Sequence, residues 1–278
     1  MSENVDRRVL AGFRCVDAIT SSSIEAPLSV TGTPLVLRRN LSGIFAVMDA
    51  PGLTALTTQF LAQATSGWPA PAAYEITIQD PAFRYLARRA NIAAPQPLPA
   101  ATAPVPPSPT TTAPAGPPPA TTAPPAVAPP VPAVTTPQHV VLYPTPAAPL
   151  APNWAVVRVS VVSNATPAVP LPWAVVQVLG AGNPPATGLT NQNGEALLGV
   201  PGLGLKLSSS GTGAVTESTT AATVTAWFDP SALTKPKGWV SNPDDILSNL
   251  SNPLWKSASQ AVQLGPGQTV LVTLTISL

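Results

Sequence analysis

Apolar and polar positions alternate in short runs along both ends of the chain, with turn residues between them. Val9–Val16 places Val9, Ala11, Phe13 and Cys15 on one face of a predicted strand. Asp17–Ser23 supplies turn chemistry, and Pro27–Val30 opens a second strand. Pro34–Leu37 and Gly43–Met48 are joined through Arg38–Gly43, a hairpin-like connection in which Asn40 and Gly43 tolerate positive φ. Ala50-Pro51-Gly52 marks the next turn. In Leu53–Thr65, Leu53, Leu56, Phe60 and Leu61 have near-helical spacing, but the threonines leave a loop equally open. Tyr74–Ile78 alternates cleanly and stops at Asp80-Pro81. Short strands at these intervals predict an antiparallel β-sandwich.

The C-terminal part repeats the style. Strands are predicted over Trp154–Val162, Ala174–Leu179, Ala222–Phe228 and Thr269–Ile276. Within Thr187–Leu203, two short strands flank Asn193-Gly194, a dipeptide that signals a hairpin. Residues of about 229–257 form an insert. In it Asn242 is placed to cap a short helix running to Leu250, with Pro243 in its first turn and Asp244 and Asp245 at the positive end of its dipole. Trp239 and Trp255 flank that helix, either packing it against the sandwich or anchoring a partner.

Between the two ends lies a proline tract, Pro95–Pro152, which holds more than half of the 38 prolines. No charged side chain occurs between Arg89 and Arg158. Proline fixes φ and removes a backbone donor, so neither helix nor central strand is expected there. Polyproline II or irregular extended chain remains, and the stretch to Pro137 could span on the order of 130 Å. The division is therefore a sandwich over 1–94, an extended linker over 95–152 and a sandwich over 153–278: all-β, two small units joined by a spacer. The tract is either a disordered linker or a strap lying along a neighbouring subunit. His139–Tyr143 is its one β-prone run, suited to adding a strand to a sheet edge of its own chain or of a neighbour.

The two ends are diverged copies. Asn40-x-x-Gly43 matches Asn191-x-x-Gly194, Pro51-Gly52-Leu53 matches Pro201-Gly202-Leu203, and Asp80-Pro81 matches Asp229-Pro230. The offsets are 151, 150 and 149 residues, nearly constant, which predicts one fold used twice.

Composition narrows the function. A net charge of +1 with 9% charged residues argues against a nucleic-acid footprint. Cys15 is the sole cysteine, so no internal disulfide is possible, which fits a reducing, cytoplasmic setting. The first residues carry charges of both signs with no apolar signal-peptide core, and no apolar run approaches membrane-spanning length. His139, the only histidine, sits in the tract, so a Ser-His-Asp arrangement would borrow it from an irregular segment. One His and one Cys offer no zinc set, and the acids lack a calcium-loop spacing. Neither catalytic residues, nor a cofactor, nor a metal is expected. Candidate partner contacts are Trp173, Trp227, Trp239, Trp255, Arg84, Arg88, Arg89, His139 and Tyr143. The three arginines either meet an acidic partner or form the commoner solvated, charge-blunted strand edge.

Thr190–Leu203 with the preceding Ala174–Val178 strand resembles the carboxypeptidase regulatory-like (transthyretin-like) domain, well over 154–278 and more loosely over 9–92. That resemblance implies a seven-stranded β-sandwich and no activity of its own. Two such units around a Pro/Ala/Thr tract, with Arg14-x-x-Asp17, Arg39-Asn40-x-Ser42-Gly43 and Tyr85-Leu86, resemble accessory proteins of phage-tail-like contractile injection systems. This implies a non-catalytic baseplate-type part bound to other protein subunits. A module of another class, binding glycans or a cell surface from the spacer, would need an exposed aromatic platform, for which Trp173, Trp227 and Trp239 are candidates.

Overall fold

The computed structural model describes residues 9–53, 70–96, 136–180, 185–203, 207–209, 215–217, 219–236 and 238–278. Residues 54–69, including most of the Leu53–Thr65 segment, and 97–135 of the proline tract lie outside them.

The chain is all-β. In the N-terminal part the strands are β1 (Ala11–Asp17), β2 (Ser29–Thr31), β3 (Val36–Arg39), β4 (Ile44–Asp49), β5 (Ala72–Gln79), β6 (Arg88–Ala94) and β7 (Gln138–Leu142). They form a four-stranded sheet in the order β3-β4-β1-β7 and a three-stranded sheet in the order β2-β5-β6. Alternation decides which side chains are shared between them. Phe13, Cys15, Phe45, Val47, Ile76, Ile78, Ile92, Val140 and Leu142 belong to one buried cluster, in which the Phe13 and Phe45 rings stack with centroids 5.1 Å apart. Val9 does not join it. Val9 precedes β1 and is exposed, and Leu10 is buried instead.

The C-terminal part comprises β8 (Ala155–Ser163), β9 (Val175–Leu179), β10 (Ala186–Leu189), β11 (Glu195–Val200), β12 (Leu207–Ser209), β13 (Val215–Glu217), β14 (Thr220–Phe228), β15 (Lys256–Leu264) and β16 (Thr269–Ile276). Its sheets run β11-β8-β16 and β10-β9-β14-β15, with β12 and β13 as a separate two-stranded ribbon. A second buried cluster joins Val157, Val159, Val161, Leu198, Val224, Phe228, Leu264, Leu274 and Ile276.

The two parts share their connectivity. In each, the first strand pairs antiparallel with the fourth and parallel with the last: β1 with β4 and β7, β8 with β11 and β16. The matched turns are also alike in detail. The Asn40 carboxamide oxygen accepts from Ile44 N–H at 2.9 Å, and that of Asn191 from Glu195 N–H at 3.0 Å. Gly43 and Gly194 follow at φ 74° and 72°, and the Pro-Gly corners hold Gly52 and Gly202 at 78° and 77°.

One strand differs between the copies. β3 pairs with β4, so Asn40–Gly43 closes a true hairpin. Its counterpart β10 pairs instead with β9, and β11 pairs with β8. The expected hairpin at Asn193-Gly194 is therefore an arch that carries the chain from one sheet to the other. Gly188 lets the strands cross closely, since a Cβ there would lie 2.9 Å from the Leu198 side chain.

The tract requires a second correction. The linker drawn over 95–152 contains β7, which lies parallel to β1 with Phe13 opposite Gln138 and Asp17 opposite Leu142. The β-prone run thus completes a sheet of its own chain. The two ends of the undescribed segment also meet. Gln96 N–H donates to Leu10 O at 2.8 Å, its side chain accepts from Gly12 N–H at 3.0 Å and donates to Thr136 O at 3.3 Å. Gln138 binds both backbone groups of Ala93, donating at 2.8 Å and accepting at 3.1 Å. Gln96 and Thr136 are therefore fastened at one place, between β6 and β7.

Candidate functional site at the junction of the two parts

The helix of the insert, α1, spans Pro243–Leu247, shorter than the run to Leu250 that its sequence suggests. Asn242 caps it by accepting from Asp244 N–H at 3.3 Å, Pro243 occupies the first turn, and Ser248 N–H closes on Asp244 O at 2.9 Å. A 3-10 turn over Pro230–Thr234, capped by Asp229, leads into the insert.

This insert reaches the first part of the chain at Arg88, whose side chain is the largest fully buried one among the described residues. Its guanidinium donates Nε to Arg89 O at 3.0 Å, Nη1 to Val141 O at 2.7 Å and Nη2 to Asn242 Oδ1 at 3.2 Å. Nη2 also forms a short ion pair with Asp244 Oδ2. The cation lies 5.9 Å from the Tyr143 ring centroid. Removing a guanidinium from water is costly, and only such a full set of acceptors offsets it. Arg89 extends the contact: its N–H donates to Ser241 O at 2.9 Å, its Nε to Val240 O at 2.7 Å, and its Nη1 to both Glu75 oxygens at 3.1 Å. Its guanidinium lies 5.0 Å from the Trp239 ring centroid. The solvated-edge expectation therefore fails for Arg88 and Arg89. Both meet an acidic partner, within their own chain.

An apolar layer surrounds these polar groups. Tyr143, Trp173, Val175, Leu189 and Ile246 are buried together, with Trp227, Trp239 and Trp255 packed against them. Trp255 is tied further by its indole N–H to Asn249 O at 2.9 Å. Burial pushes the Tyr143 hydroxyl up to about 12, with Asp244 adding to the shift and Arg88 opposing it. At a second point of contact, Ile19 and Trp154 close on Gly199, where a Cβ would lie 3.0 Å from Ile19 Cγ2 and 3.2 Å from Trp154 Cε3.

Of the residues singled out in the sequence, Arg88, Arg89, Tyr143, Trp173, Trp227, Trp239 and Trp255 converge here. Arg84 and His139 do not. Arg84 turns back on its own loop, pairing with Asp80 at 3.1 Å, and His139 is exposed on β7. Trp173 is only 8% exposed, and Trp227 and Trp239 are half-buried, so these three form no open platform. Asn242, Asp244 and the carbonyls of Val240 and Ser241 escaped notice as partners. The available signal was a basic doublet, Arg88-Arg89, and an acidic doublet, Asp244-Asp245, in a chain with few charges.

The remaining chemistry-bearing groups stay apart from the junction. Cys15 lies in the N-terminal core, where burial pushes its thiol up to about 12 despite Arg39 and Arg88. Among the described residues no group of three or more His, Cys, Asp or Glu could hold a metal ion. No helix among them is long and apolar enough to cross a membrane. The sequence matches no protein-family model and no curated protein. The geometry of the junction is that of an internal clamp. Charged groups fix the register, and aromatic side chains exclude water around them.

Proposed function

We propose that this protein is a non-catalytic scaffolding part of a larger, cytoplasmically assembled particle. In this reading each sheet pair is a β-sandwich of the carboxypeptidase regulatory-like kind. The whole is an accessory, baseplate-type protein of a phage-tail-like contractile injection system. The observation that carries the scaffolding reading is the clamp itself: Arg88, held by Val141 O of its own unit, reaches Asn242 and Asp244 of the other inside a layer of tryptophans. A stiff two-unit body offers neighbours a fixed spacing between docking surfaces. Gln96 and Thr136, which flank the proline-rich segment, are bonded to each other on this body, and a tethered segment would raise the effective concentration of any neighbour it bound.

The test is the size of the native species. Sedimentation of lysate from the source organism should place the protein in particles far larger than its 28.3 kDa, together with other subunits. Recovery of the protein solely as a free monomer would overturn the proposal.

A further inference from the structure

We infer that the free edge of β16 is where two copies of this chain join, by antiparallel pairing of β16 with β16 about a two-fold axis at Val272. β16 closes the sheet β11-β8-β16, and no strand among the described residues lies beyond it. Val156 N–H donates to Gln268 O at 2.8 Å and Asn164 N–H to Ile276 O at 3.1 Å, so the even-numbered residues turn their backbone groups toward β8. By the period of a strand, Thr269, Leu271, Thr273 and Thr275 turn theirs the other way. None of these N–H and C=O groups has a hydrogen-bond partner among the described residues. The four side chains are exposed as well, Leu271 to 76%.

Outer strands elsewhere in the sheets carry devices against such pairing. β3 holds Arg38 and Arg39 and a register shift between Val36 and Leu37. β2 and β10 have only three and four residues, and β11 and β15 open with the exposed charges of Glu195 and Lys256. β6 is bonded by the Gln138 side chain and by Ser241 O. β16 runs for eight residues without a charge, a proline or a register shift. Its counterpart in the first unit, β7, shows how this edge is covered there. Val141 O accepts from Arg88 Nη1 at 2.7 Å, and Tyr143 O, just past the strand, accepts from Leu86 N–H at 2.8 Å. Both donors lie in the stretch that follows Asp80-Pro81. After the matching Asp229-Pro230 the chain forms the insert instead, and the insert is engaged by Arg88 and Arg89. The edge of β16 is thereby left bare.

A second copy fits this edge because the strand is its own complement. With the axis at Val272, Leu271 of one copy stands opposite Thr273 of the second, and Thr269 opposite Thr275. Each opposed pair exchanges two N–H···O=C bonds, so the four pairs satisfy every edge-facing group of both strands. A shift of two residues in either direction loses one of the four pairs within β16. With no charge in Thr269–Ile276, the two-fold brings no like charges together. The contact is isologous and closes on itself, leaving neither β16 edge open to further addition. It stands apart from the proposed assembly role. Because β16 lies at this contact, distances to it within one chain are read with labelled protein diluted into unlabelled copies.

Sedimentation equilibrium of the purified full-length protein, with two charge variants, tests the pairing. The wild-type chain should reach twice its 28.3 kDa and dissociate on dilution. One variant carries Leu271→Lys with Thr273→Lys, the other Leu271→Glu with Thr273→Glu. All four substitutions fall on exposed positions and spare the core. Each variant alone should dimerise at least about ten-fold more weakly, because like charges face each other across the axis. An equimolar mixture of the two should recover the dimer, since lysines then meet glutamates. Hydrogen exchange of the wild-type chain reads the same contact without substitution. The amides of Leu271, Thr273 and Thr275 should exchange about ten-fold more slowly in concentrated than in dilute protein, while those of Val272 and Leu274, bonded to β8, stay slow in both. A wild-type mass that stays at one chain, variants that associate like the wild type, or a mixture that fails to recover the dimer would each overturn the inference. Edge amides that are fast at every concentration would do the same, and so would amides protected independently of concentration, which would mean that the chain covers its own edge.

Discussion

Arg88 Nη2 and Asp244 Oδ2 are paired across 156 residues of sequence, with the arginine side chain fully buried and the aspartate half-exposed. The relationship is unequal. Loss of Asp244 leaves a cation in the interior, whereas loss of Arg88 leaves a carboxylate that water can reach but orphans the carbonyls of Val141 and Arg89. Either change should cost about 3 kcal/mol of unfolding free energy, and the double variant Arg88→Met with Asp244→Ala should cost less than the sum. Urea unfolding of the four species gives the coupling. Strict additivity would mean that the pair does not hold the two parts together.

The matched glycines should differ in sensitivity although their φ values agree. A Cβ at Gly194 would sit 2.5 Å from Val161 O, whereas at Gly202 nothing lies within 4 Å. Gly202→Ala should cost only the left-handed strain, about 1–2 kcal/mol, and Gly194→Ala clearly more. Thermal unfolding of the two variants ranks them, and equal losses would contradict the packing of the arch.

Two carboxylates should set opposite pH trends. Burial works to raise the Asp80 carboxyl, but hydrogen bonds from the Arg84 side chain and from the backbone N–H groups of Ala82 and Arg84 outweigh it and hold it below the usual range. A carboxyl depressed in the fold stabilises it at pH above the unfolded value, about 3.9, and that contribution is lost as pH falls through the folded value. Asp80→Asn should therefore destabilise at pH 7 and flatten the acid limb of the stability curve. Burial, then Asp244, raises the Asp245 carboxyl instead. Its ionised form opposes folding at neutral pH, so Asp245→Asn should be neutral or mildly stabilising at pH 7. Stability of both variants measured from pH 3 to 8 checks the signs.

With its thiol pushed up to about 12 and its side chain in the core, Cys15 should not react with a water-soluble disulfide reagent in the native state at pH 8. Full reaction should appear on unfolding. Rapid native labelling would place Cys15 outside the N-terminal core.

Strands with clean alternation were legible in the sequence: β1, β5, β8 and β16 all present the apolar face that their residues announce. The repeat was legible too, because Asn-Gly turns and Pro-Gly corners answer backbone needs that survive divergence. β6 was missed because its inward positions are Arg88, Ala90, Ile92 and Ala94, and an arginine at the head of a strand reads as solvent-facing. β15 was missed because it buries only Val262 and Leu264. The route of the proline tract was hidden for a different reason. Composition reports what a segment cannot form, not where its ends are fastened, and that depends on Gln96 and Gln138 finding Gly12 and Ala93. The junction likewise rests on residues far apart in sequence, which no local pattern pairs.

The most direct test of the clamped body is a distance between its parts in solution. Spin labels at Asn91 on β6 and Thr273 on β16, introduced as cysteines with Cys15 left buried, report that distance by pulsed electron resonance. A single narrow distribution, unchanged when residues 97–135 are replaced by a short Gly-Ser turn, is the result predicted. A broad distribution, or one that shifts with the length of the proline-rich segment, would show that the two parts are separated by a spacer after all.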